Sequence, residues 1–288
     1  MPNVRSTCVL VAVLLAGPAV AAPRAAGVVP SDAEIRRILA ERLGAASRDC
    51  GIVVGIVDPR GRRVVAYGHV DAKDPRPLSA GTTFEIASVT KVFTALLLAD
   101  MARRGEVSLD DPVAKLLPPG IRVPERDGRK ITLADLATHT SGLPFMADDL
   151  SRLELARGIG AEWDYSNVGY WLLGRALAAR AGMDFERLLQ ARVLGPLGLK
   201  STAITITPRL KKRMAVGHDA ALGAARVWSW EAAYADMGAA GGLVSTVRDL
   251  QTLLAAALGL EPTPLKAGLD SMLATRRPMP GGEQALGW

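Results

Sequence analysis

The sequence predicts an α+β fold, because its patterning changes from strand-like to helix-like along the chain. Two β-branched runs, Gly51 to Val57 and Arg63 to Tyr67, are joined by Asp58-Pro59-Arg60-Gly61, in which Pro and Gly stand where a type I turn favours them. From Ser88 onward the apolar residues mostly recur at helical spacing, and the sequence has no internal repeat. We therefore expect an antiparallel sheet that includes this hairpin and is flanked by helices.

The helices are predicted from their start signals. Ser31 and Glu34 form a capping box, and apolar residues at helical spacing follow it to about Arg42 or Leu43. Further on, start signals and apolar spacing predict four more helical segments. They are the run from Ser88 to Met101, a turn that begins at Pro112, a helix capped by Thr132 and Asp135, and the segment Val168 to Ala181. A later helix begins near Ser245 to Asp249 and continues through Leu258.

Composition and charge indicate a globular protein with one large core. The chain has 288 residues, of which 49% are hydrophobic and 22% are charged. Its formal net charge of +6 is too small and too dispersed to indicate nucleic-acid binding. The densest basic run, residues 209–213, is interpreted as solvated surface.

The first residues have the three parts of a secretory signal peptide. Arg5 precedes an apolar run from Val9 to Leu15, and Ala19-Val20-Ala21 offers a small-residue cleavage site. We expect residues 1–21 to be a signal peptide and 22–288 to be a periplasmic or secreted domain. An uncleaved membrane anchor is the alternative, but the apolar run is shorter than the roughly 20 residues of a spanning helix. No later stretch approaches that length, so we expect membrane contact only through the export signal.

The two cysteines agree with export but not with a disulfide-stapled scaffold. Cys8 lies in the expected signal peptide, so the mature chain keeps only Cys50 and forms no internal disulfide.

The candidate nucleophile opens the most apolar helix. In FEIASVTKVFTALLLADM, Lys91 lies one turn after Ser88 and directly before an apolar run from Val92 to Ala99. Free N–H groups at a helix start favour developing negative charge, and a hydroxyl beside an amine there is typical of an activated serine. The structural alternative is a buried helix start whose lysine extends to solvent.

The proton partner of Ser88 has two kinds of candidate. A Ser-His-Asp triad would use His69, His139 or His218, but no serine lies in a Gly-x-Ser-x-Gly elbow. Tyr165 and Asn167, in WDYSNVGYWLLG, offer a phenol and a carboxamide at a helix start. Their structural alternative is a core ring and a helix cap.

Together, Ser88-x-x-Lys91 and Tyr165-x-Asn167 resemble the penicillin-recognising serine hydrolases, specifically the class C β-lactamase and D-alanyl-D-alanine carboxypeptidase-endopeptidase branch. Blocks similar to the family, in the family's order, cover most of Thr82 to Leu258. The resemblance implies a β-lactamase/transpeptidase-like fold: an antiparallel sheet with flanking helices and an all-helical subdomain at roughly residues 105–240.

The resemblance also implies residue roles. Ser88 would be the acylated nucleophile, Lys91 its proton partner, Tyr165 the base that also protonates the leaving group, and Asn167 a donor to the substrate amide. Neither a lysine nor a tyrosine is a useful base at its reference pKa near 10. We expect the Lys91 cation to lower the pKa of the phenol, and desolvation to lower the pKa of the lysine. No cofactor and no metal ion are expected.

The family's third motif, His or Lys followed by any residue and Gly, is the departure from the pattern. Lys266-Ala267-Gly268 matches it as a string, but the pattern around it is not that of a strand, and it precedes the ALGW landmark at Ala285 to Trp288. We interpret it as a chance match. The expectation is then a domain incomplete at its C-terminus, without the sheet strands and the second oxyanion-hole donor that the family places there.

These observations lead to one functional prediction with two alternatives. We expect an exported serine hydrolase that forms an acyl-enzyme on Ser88 and acts on D-alanyl-D-alanine peptides of the cell wall, on β-lactam antibiotics, or on both. A non-catalytic pseudoenzyme that binds cell-wall peptide, and an esterase with the same catalytic residues, are the alternatives.

Overall fold

The computed structural model describes residues 29–218 and 237–288. The expected signal peptide, residues 1–21, lies outside these described residues. The α-helices in chain order are α1 (Asp32–Leu43), α2 (Thr90–Arg103), α3 (Leu133–Ala137), α4 (Asn167–Ala181), α5 (Phe185–Leu189), α6 (Pro208–Lys211), α7 (Gly238–Gly241), α8 (Val247–Ala257) and α9 (Lys266–Ala274). The strands are β1 (Gly51–Asp58), β2 (Gly61–Asp71), β3 (Asp74–Pro77), β4 (Thr83–Glu85), β5 (Val244–Thr246), β6 (Arg276–Met279) and β7 (Gly282–Ala285).

The strands form small antiparallel sheets. One has the order β1-β2-β3, and β4 pairs with β5 and β6 with β7. The predicted hairpin is confirmed, because β1 and β2 pair from Gly51↔Gly68 to Asp58↔Gly61. The β6–β7 hairpin was not predicted, because Pro278 and the exposed residues around it hide the strand pattern.

The chain divides into two compact units. The first contains residues 29–85, 205–218 and 244–261 among those described. In it, α1 packs on β2 through a cluster of Ile35, Leu39 and Val65, and α1 has the predicted limits and the predicted Ser31 cap. On the sheet, α8 lies against β1, where Gln251 donates hydrogen bonds to the carbonyls of Ile56 (3.0 Å) and Arg63 (2.8 Å).

The second unit contains residues 86–204, 237–243 and 262–288 among those described. Its centre is α2, in which every residue from Thr90 to Met101 is buried, as the apolar sequence predicts. Helices α4, α7 and α9 pack against α2. The predicted capping box of Thr132 and Asp135 starts α3, and α4 ends at Gly182 in a left-handed conformation.

Pro112 begins a short 3₁₀ turn, Val113–Lys115. The two compact units do not correspond to the predicted helical subdomain, so they do not test its limits. Those limits, roughly 105–240, stay a prediction. Across 29–218 and 237–288, no helix has both the length and the hydropathy needed to cross a bilayer.

Candidate active site

Ser88 lies in a 3₁₀ turn, Ala87–Val89, that leads directly into α2. The α-helix therefore begins at Thr90, two residues later than the sequence suggested. Ala87 has a φ of 43°, a left-handed conformation that residues other than glycine rarely adopt. This strained position turns the chain immediately before Ser88, whose side chain is exposed at the surface.

Lys91 is buried beside Ser88 and is surrounded by neutral groups. Only 3% of the residue is exposed. Its Nζ donates to Asn167 Oδ1 (2.7 Å) and to the Ala240 carbonyl (2.6 Å), and it lies 3.3 Å from Ser88 Oγ. Among the described residues, no carboxylate lies within ion-pair distance of this amine. Burial without a counter-ion lowers the pKa of Lys91 to about 7.

Tyr165 contacts Ser88 from the other side. Its hydroxyl donates to Ser88 Oγ at 2.6 Å, and Lys91 Nζ lies 4.8 Å from the centre of its ring. Desolvation raises the pKa of Tyr165, and the hydrogen bond to Ser88 lowers it by less. The expected lowering of the phenol's pKa by the Lys91 cation is therefore wrong. Burial of the phenol disfavours its charged form by more than the hydrogen bond to Ser88 favours it.

Asn167 is the first residue of α4, and its side chain faces Lys91. The helix cap is the neighbouring Ser166, whose hydroxyl accepts from the Gly169 N–H at 2.9 Å. Asn167 Oδ1 accepts from Lys91, and Nδ2 lies 3.6 Å from the sulfur of Met146. Asn167 is thus not the helix cap that its structural alternative proposed.

His139 supports the tyrosine ring. The two rings stack with centroids 4.3 Å apart, and His139 Nδ1 accepts from the Ser166 N–H at 3.1 Å. Burial, aided by Lys91, lowers the pKa of His139 to about 3, so the ring is neutral at physiological pH. The contacts that the described residues make with Ser88 Oγ come from Lys91 and Tyr165, not from a histidine.

The His139 backbone explains why a histidine occupies this turn. Its φ is 59°, in the left-handed region where histidine is among the more tolerated side chains. Sequence reasoning considered His139 only as a base and missed its stacking role. The turn-like segment LATHTSGLP, which contains His139, was the sequence feature that could have indicated this turn position.

The other part of the site that sequence reasoning missed is the Ala240 carbonyl. Ala240 lies in α7, and a backbone acceptor has no signature in the residue types of a sequence. Two of the three Lys91 partners were therefore predictable as site residues, Ser88 and Asn167, and the third was not.

The Lys266-Ala267-Gly268 string starts α9, so the expected non-strand context is confirmed, and its interpretation as a chance match stays a prediction. Lys266 is paired with Asp270 on an exposed surface at 2.5 Å. By contrast, Gly287 of the ALGW landmark lies directly on α2. A Cβ at Gly287 would lie 2.7 Å from Ala95 Cβ and 2.9 Å from the Lys91 carbonyl oxygen, so only glycine allows this close approach.

An exposed serine that shares hydrogen bonds with a buried lysine and a tyrosine, in this α+β fold, is the arrangement of the penicillin-recognising serine hydrolases. The family model described as Beta-lactamase matches residues 35–288. The chain therefore belongs to the beta-lactamase family of that superfamily.

Individual relatives agree with this assignment. The chain is 32% identical over 197 residues to the D-alanyl-D-alanine-carboxypeptidase/endopeptidase AmpH of Escherichia coli (strain K12), covering 62% of this chain and 51% of that protein. It is 32% identical over 180 residues to a beta-lactamase of the same strain, covering 58% and 47%. The chain spans about half the length of these curated relatives.

A solved structure, the class C beta lactamase from Rhodobacter sphaeroides, has a TM-score of 0.75 and 29% identity, with coverage of 87% of this chain and 73% of that one. Another solved class C beta-lactamase has a TM-score of 0.77 at 22% identity and indicates the fold alone. The predicted fold class is confirmed by these neighbours.

Proposed function

We propose that this protein is a serine hydrolase that forms an acyl-enzyme on Ser88 and cleaves D-alanyl-D-alanine peptides, β-lactams, or both. The observation that carries the proposal is the pair of contacts on Ser88 Oγ: the Tyr165 hydroxyl at 2.6 Å and the amine of Lys91 at 3.3 Å. The names of the relatives, a carboxypeptidase/endopeptidase and beta-lactamases, support the choice of substrates.

Lys91 is the group that accepts the Ser88 proton. A neutral amine has two N–H donors and one lone pair, and Asn167 Oδ1 and the Ala240 carbonyl take the two donors. The lone pair is then directed at the remaining partner, the Ser88 hydroxyl. With its pKa lowered to about 7, a large fraction of Lys91 is in this neutral form at physiological pH.

The raised pKa of Tyr165 gives this residue a different task from the general base that the family resemblance implied. A protonated phenol 2.6 Å from Ser88 Oγ is a donor, so it holds the oxygen for attack and leaves the serine proton for Lys91. After attack, the same phenol lies beside the departing nitrogen and can donate its proton to it.

Acylation then proceeds with a closed proton balance. Ser88 Oγ forms a bond to the substrate carbonyl carbon while its proton moves to Lys91. When the C–N bond breaks, Tyr165 gives its proton to the leaving nitrogen and Lys91 returns one to Tyr165. Water later attacks the ester carbonyl carbon and gives a proton to Tyr165, which passes its own proton to Lys91. When the ester bond breaks, Lys91 returns a proton to Ser88 Oγ, and the carboxylic acid product leaves.

Asn167 is placed to orient the substrate amide. Its carboxamide oxygen is occupied by Lys91, which fixes the side chain with its NH₂ group on the opposite side. Within residues 29–218 and 237–288, the weak sulfur contact to Met146 is the one contact of this group, so it is the available donor for a substrate carbonyl.

We also propose that residues 1–21 direct export and that the enzyme acts in the periplasm or outside the cell. The support is the sequence pattern of the N-terminus, in which Arg5, the apolar run and the small-residue site follow one another as in a signal peptide. Fractionation of cells, with N-terminal sequencing of the processed protein, tests this assignment: cytoplasmic protein that keeps residue 1 would contradict it.

The experiment for the proposed activity is covalent labelling of the full-length protein with a fluorescent penicillin, followed by peptide mapping. We expect the label on Ser88 and none in Ser88→Ala. Hydrolysis of a chromogenic β-lactam, of a D-alanyl-D-alanine peptide and of a simple ester is measured in parallel, because a fast-deacylating enzyme accumulates no label. A label on another residue, or no label and no hydrolysis of any substrate, would rule out the proposal and favour the pseudoenzyme.

Tyr165→Phe separates the roles of the two Ser88 partners. The variant loses only the hydroxyl, so the stack on His139 remains. We expect acylation to slow by about 10²- to 10⁴-fold, the usual contribution of a general acid or base. Acylation at the wild-type rate would remove Tyr165 from the mechanism.

A further inference from the structure

The short helix α7 presents its backbone carbonyls to one face of α2. The Ala240 carbonyl accepts from Lys91 Nζ at 2.6 Å, and the preceding Ala239 carbonyl accepts from Thr94 Oγ1 at 2.8 Å. Just beyond α7, the Leu243 N–H donates to Thr90 Oγ1 at 3.1 Å. Three side chains from the first turns of α2, those of Thr90, Lys91 and Thr94, therefore hold this segment.

Side chains of α7 itself cannot fix its position. The helix is Gly-Ala-Ala-Gly, all four residues are buried, and neither alanine can make a polar contact through its side chain. The last carbonyls of a helix have no partner within the helix, so in a helix this short nearly all depend on neighbours. The hydroxyl of Thr94 is the neutral donor that holds the carbonyl next to the one used by Lys91.

Helix α4 limits α7 from another direction. A Cβ on Gly174, in the middle of α4, would overlap the methyl group of Ala239. Glycine inside a helix is unfavourable by about 0.5 to 1 kcal/mol relative to alanine, so its presence here reflects this close packing. The Ala239 peptide is thus held between the Gly174 backbone and the Thr94 hydroxyl.

We propose that Thr94 is a positioning residue for proton transfer: by holding the Ala239 carbonyl, it fixes the adjoining Ala240 carbonyl against Lys91 and so helps to set the pH at which Lys91 loses its proton. This inference rests on the proposed function of Ser88 and Lys91. A carbonyl dipole directed at the amine favours the charged form. A carbonyl free to turn away favours the neutral form.

Substitutions at position 94 replace none of the other titratable or charged groups near Lys91. The titratable side chains that face the amine are Tyr165 and Tyr170, with ring centres 4.8 and 5.3 Å from Nζ, and His139. Helix α7 contributes no titratable group. Charged residues on the other segments packed against α2, α4 included, have contacts of their own; they are Arg175, Arg180, Glu186, Arg187, Arg192, Lys266 and Asp270.

The test compares Thr94→Val, which removes the donor but keeps the shape, with Thr94→Ser, which keeps the donor. The rate constant for acylation of Ser88 by a fluorescent penicillin is measured from pH 5 to 9, with thermal melting as a check on folding. We expect the acid limb of Thr94→Val to move to lower pH by about 0.5 to 1 unit, the effect of about one hydrogen bond. Thr94→Ser should keep the wild-type limb.

The outcomes separate the two proposals. If the wild-type protein is not acylated on Ser88, the proposed function fails. If it is acylated and the limb of Thr94→Val stays in place or moves to higher pH, the positioning role of Thr94 is wrong, even where the rate falls. If Thr94→Val does not fold, Thr94→Ala removes the same donor, and its limb is judged by the same rule.

Discussion

The two ends of α2 each bury a charged side chain, and they treat it differently. Near the end of the helix, Asp100 has a side chain only 1% exposed and is paired with the guanidinium groups of Arg104 (2.7 Å) and Arg103 (3.4 Å). At the start, Lys91 is equally buried, and its hydrogen-bond partners in the part of the chain that the structure describes are all neutral. A buried charge with counter-ions contributes to the fold, whereas a buried amine without one gives up its proton easily.

This contrast explains why an ammonium group opens an apolar helix. Replacing Lys91 by an apolar residue would suit the core, and a carboxylate beside it would hold the proton on the amine. Neither change would leave a base next to Ser88. The absence of a nearby counter-ion, among the described residues, is therefore the feature that suits Lys91 to the proton transfer we propose.

The largest expected effect is that of Lys91→Met, which removes the proposed base and keeps the apolar stem. We expect acylation of Ser88 to fall by about 10²- to 10⁴-fold. The free energy of unfolding should fall by less than about 2 kcal/mol, because relief from burying an amine offsets the hydrogen bonds lost by Asn167 and Ala240. Penicillin labelling and urea unfolding measure the two quantities.

Lys266→Met is the matched control for that variant, since Lys266 is an exposed lysine of the chance third-motif match. Lys266→Met should change neither the rate of Ser88 acylation nor the free energy of unfolding appreciably. A wild-type acylation rate in Lys91→Met would contradict the role of the amine, and a lower rate in Lys266→Met would reopen the question of the third motif.

Asp100→Asn should produce the opposite pattern. The change removes the partner of Arg103 and Arg104, both of which can turn to solvent because their side chains are 42% exposed. We expect the free energy of unfolding to fall by about 1 to 3 kcal/mol and acylation per folded molecule to stay unchanged. Urea unfolding and active-site titration measure these quantities.

The exposed pair of Lys266 and Asp270 supplies the control, because Asp270→Asn should lower the stability by no more than about 1 kcal/mol. If Asp100→Asn and Asp270→Asn were equally mild, the buried pair would have no structural role. If Asp100→Asn slowed acylation in folded protein, the structural role of Asp100 could not be separated from the catalytic role proposed for Lys91.

The pH dependence of acylation sharpens the comparison. In the proposed mechanism the neutral form of Lys91 is the base. Its pKa is lowered to about 7, so the rate should rise with pH through this value and level off above it. One pH unit below the pKa, the rate should be about 10-fold lower than the plateau. A rate that is flat from pH 6 to 8 would exclude Lys91 as the base.

The smallest expected effect comes from the strained residue before Ser88. Ala87 has a left-handed conformation that costs an alanine about 1 to 2 kcal/mol, and Ala87→Gly removes this cost. Part of the gain is lost because glycine has more conformational entropy in the unfolded chain. We expect a net increase in stability of about 0.5 to 1 kcal/mol by urea unfolding. The same change at the exposed, helical Ala179 should lower stability, and a loss at both positions would mean that Ala87 is not strained.

The sequence predicts those parts of the fold in which a local signal and the tertiary packing agree. Helix α1, the β1–β2 hairpin and helix α8 have the expected limits to within a few residues, because caps, turn residues and apolar spacing all act locally. Helix α7 was not predicted, since a buried Gly-Ala-Ala-Gly segment has no cap and no periodicity. Its helical conformation depends on tertiary contacts with α2 and α4.

The site divides in the same way. Ser88, Lys91, Tyr165 and Asn167 were predicted because their chemistry requires particular side chains at fixed spacings, and the fold brings all four together. The Ala240 carbonyl, the stacking of His139 and the direction of the Tyr165 pKa depend on distant segments and on burial. These three features required the three-dimensional arrangement.

The most direct test of the central claim is the pKa of Lys91 itself. The protein is prepared with ¹³C-labelled lysine, and the side-chain resonance of Lys91, identified by its loss in Lys91→Met, is followed by NMR from pH 5 to 11. We predict a titration centred near 7, as expected for an amine buried without a counter-ion. A titration near 10, the value of an ordinary exposed lysine, would contradict the account.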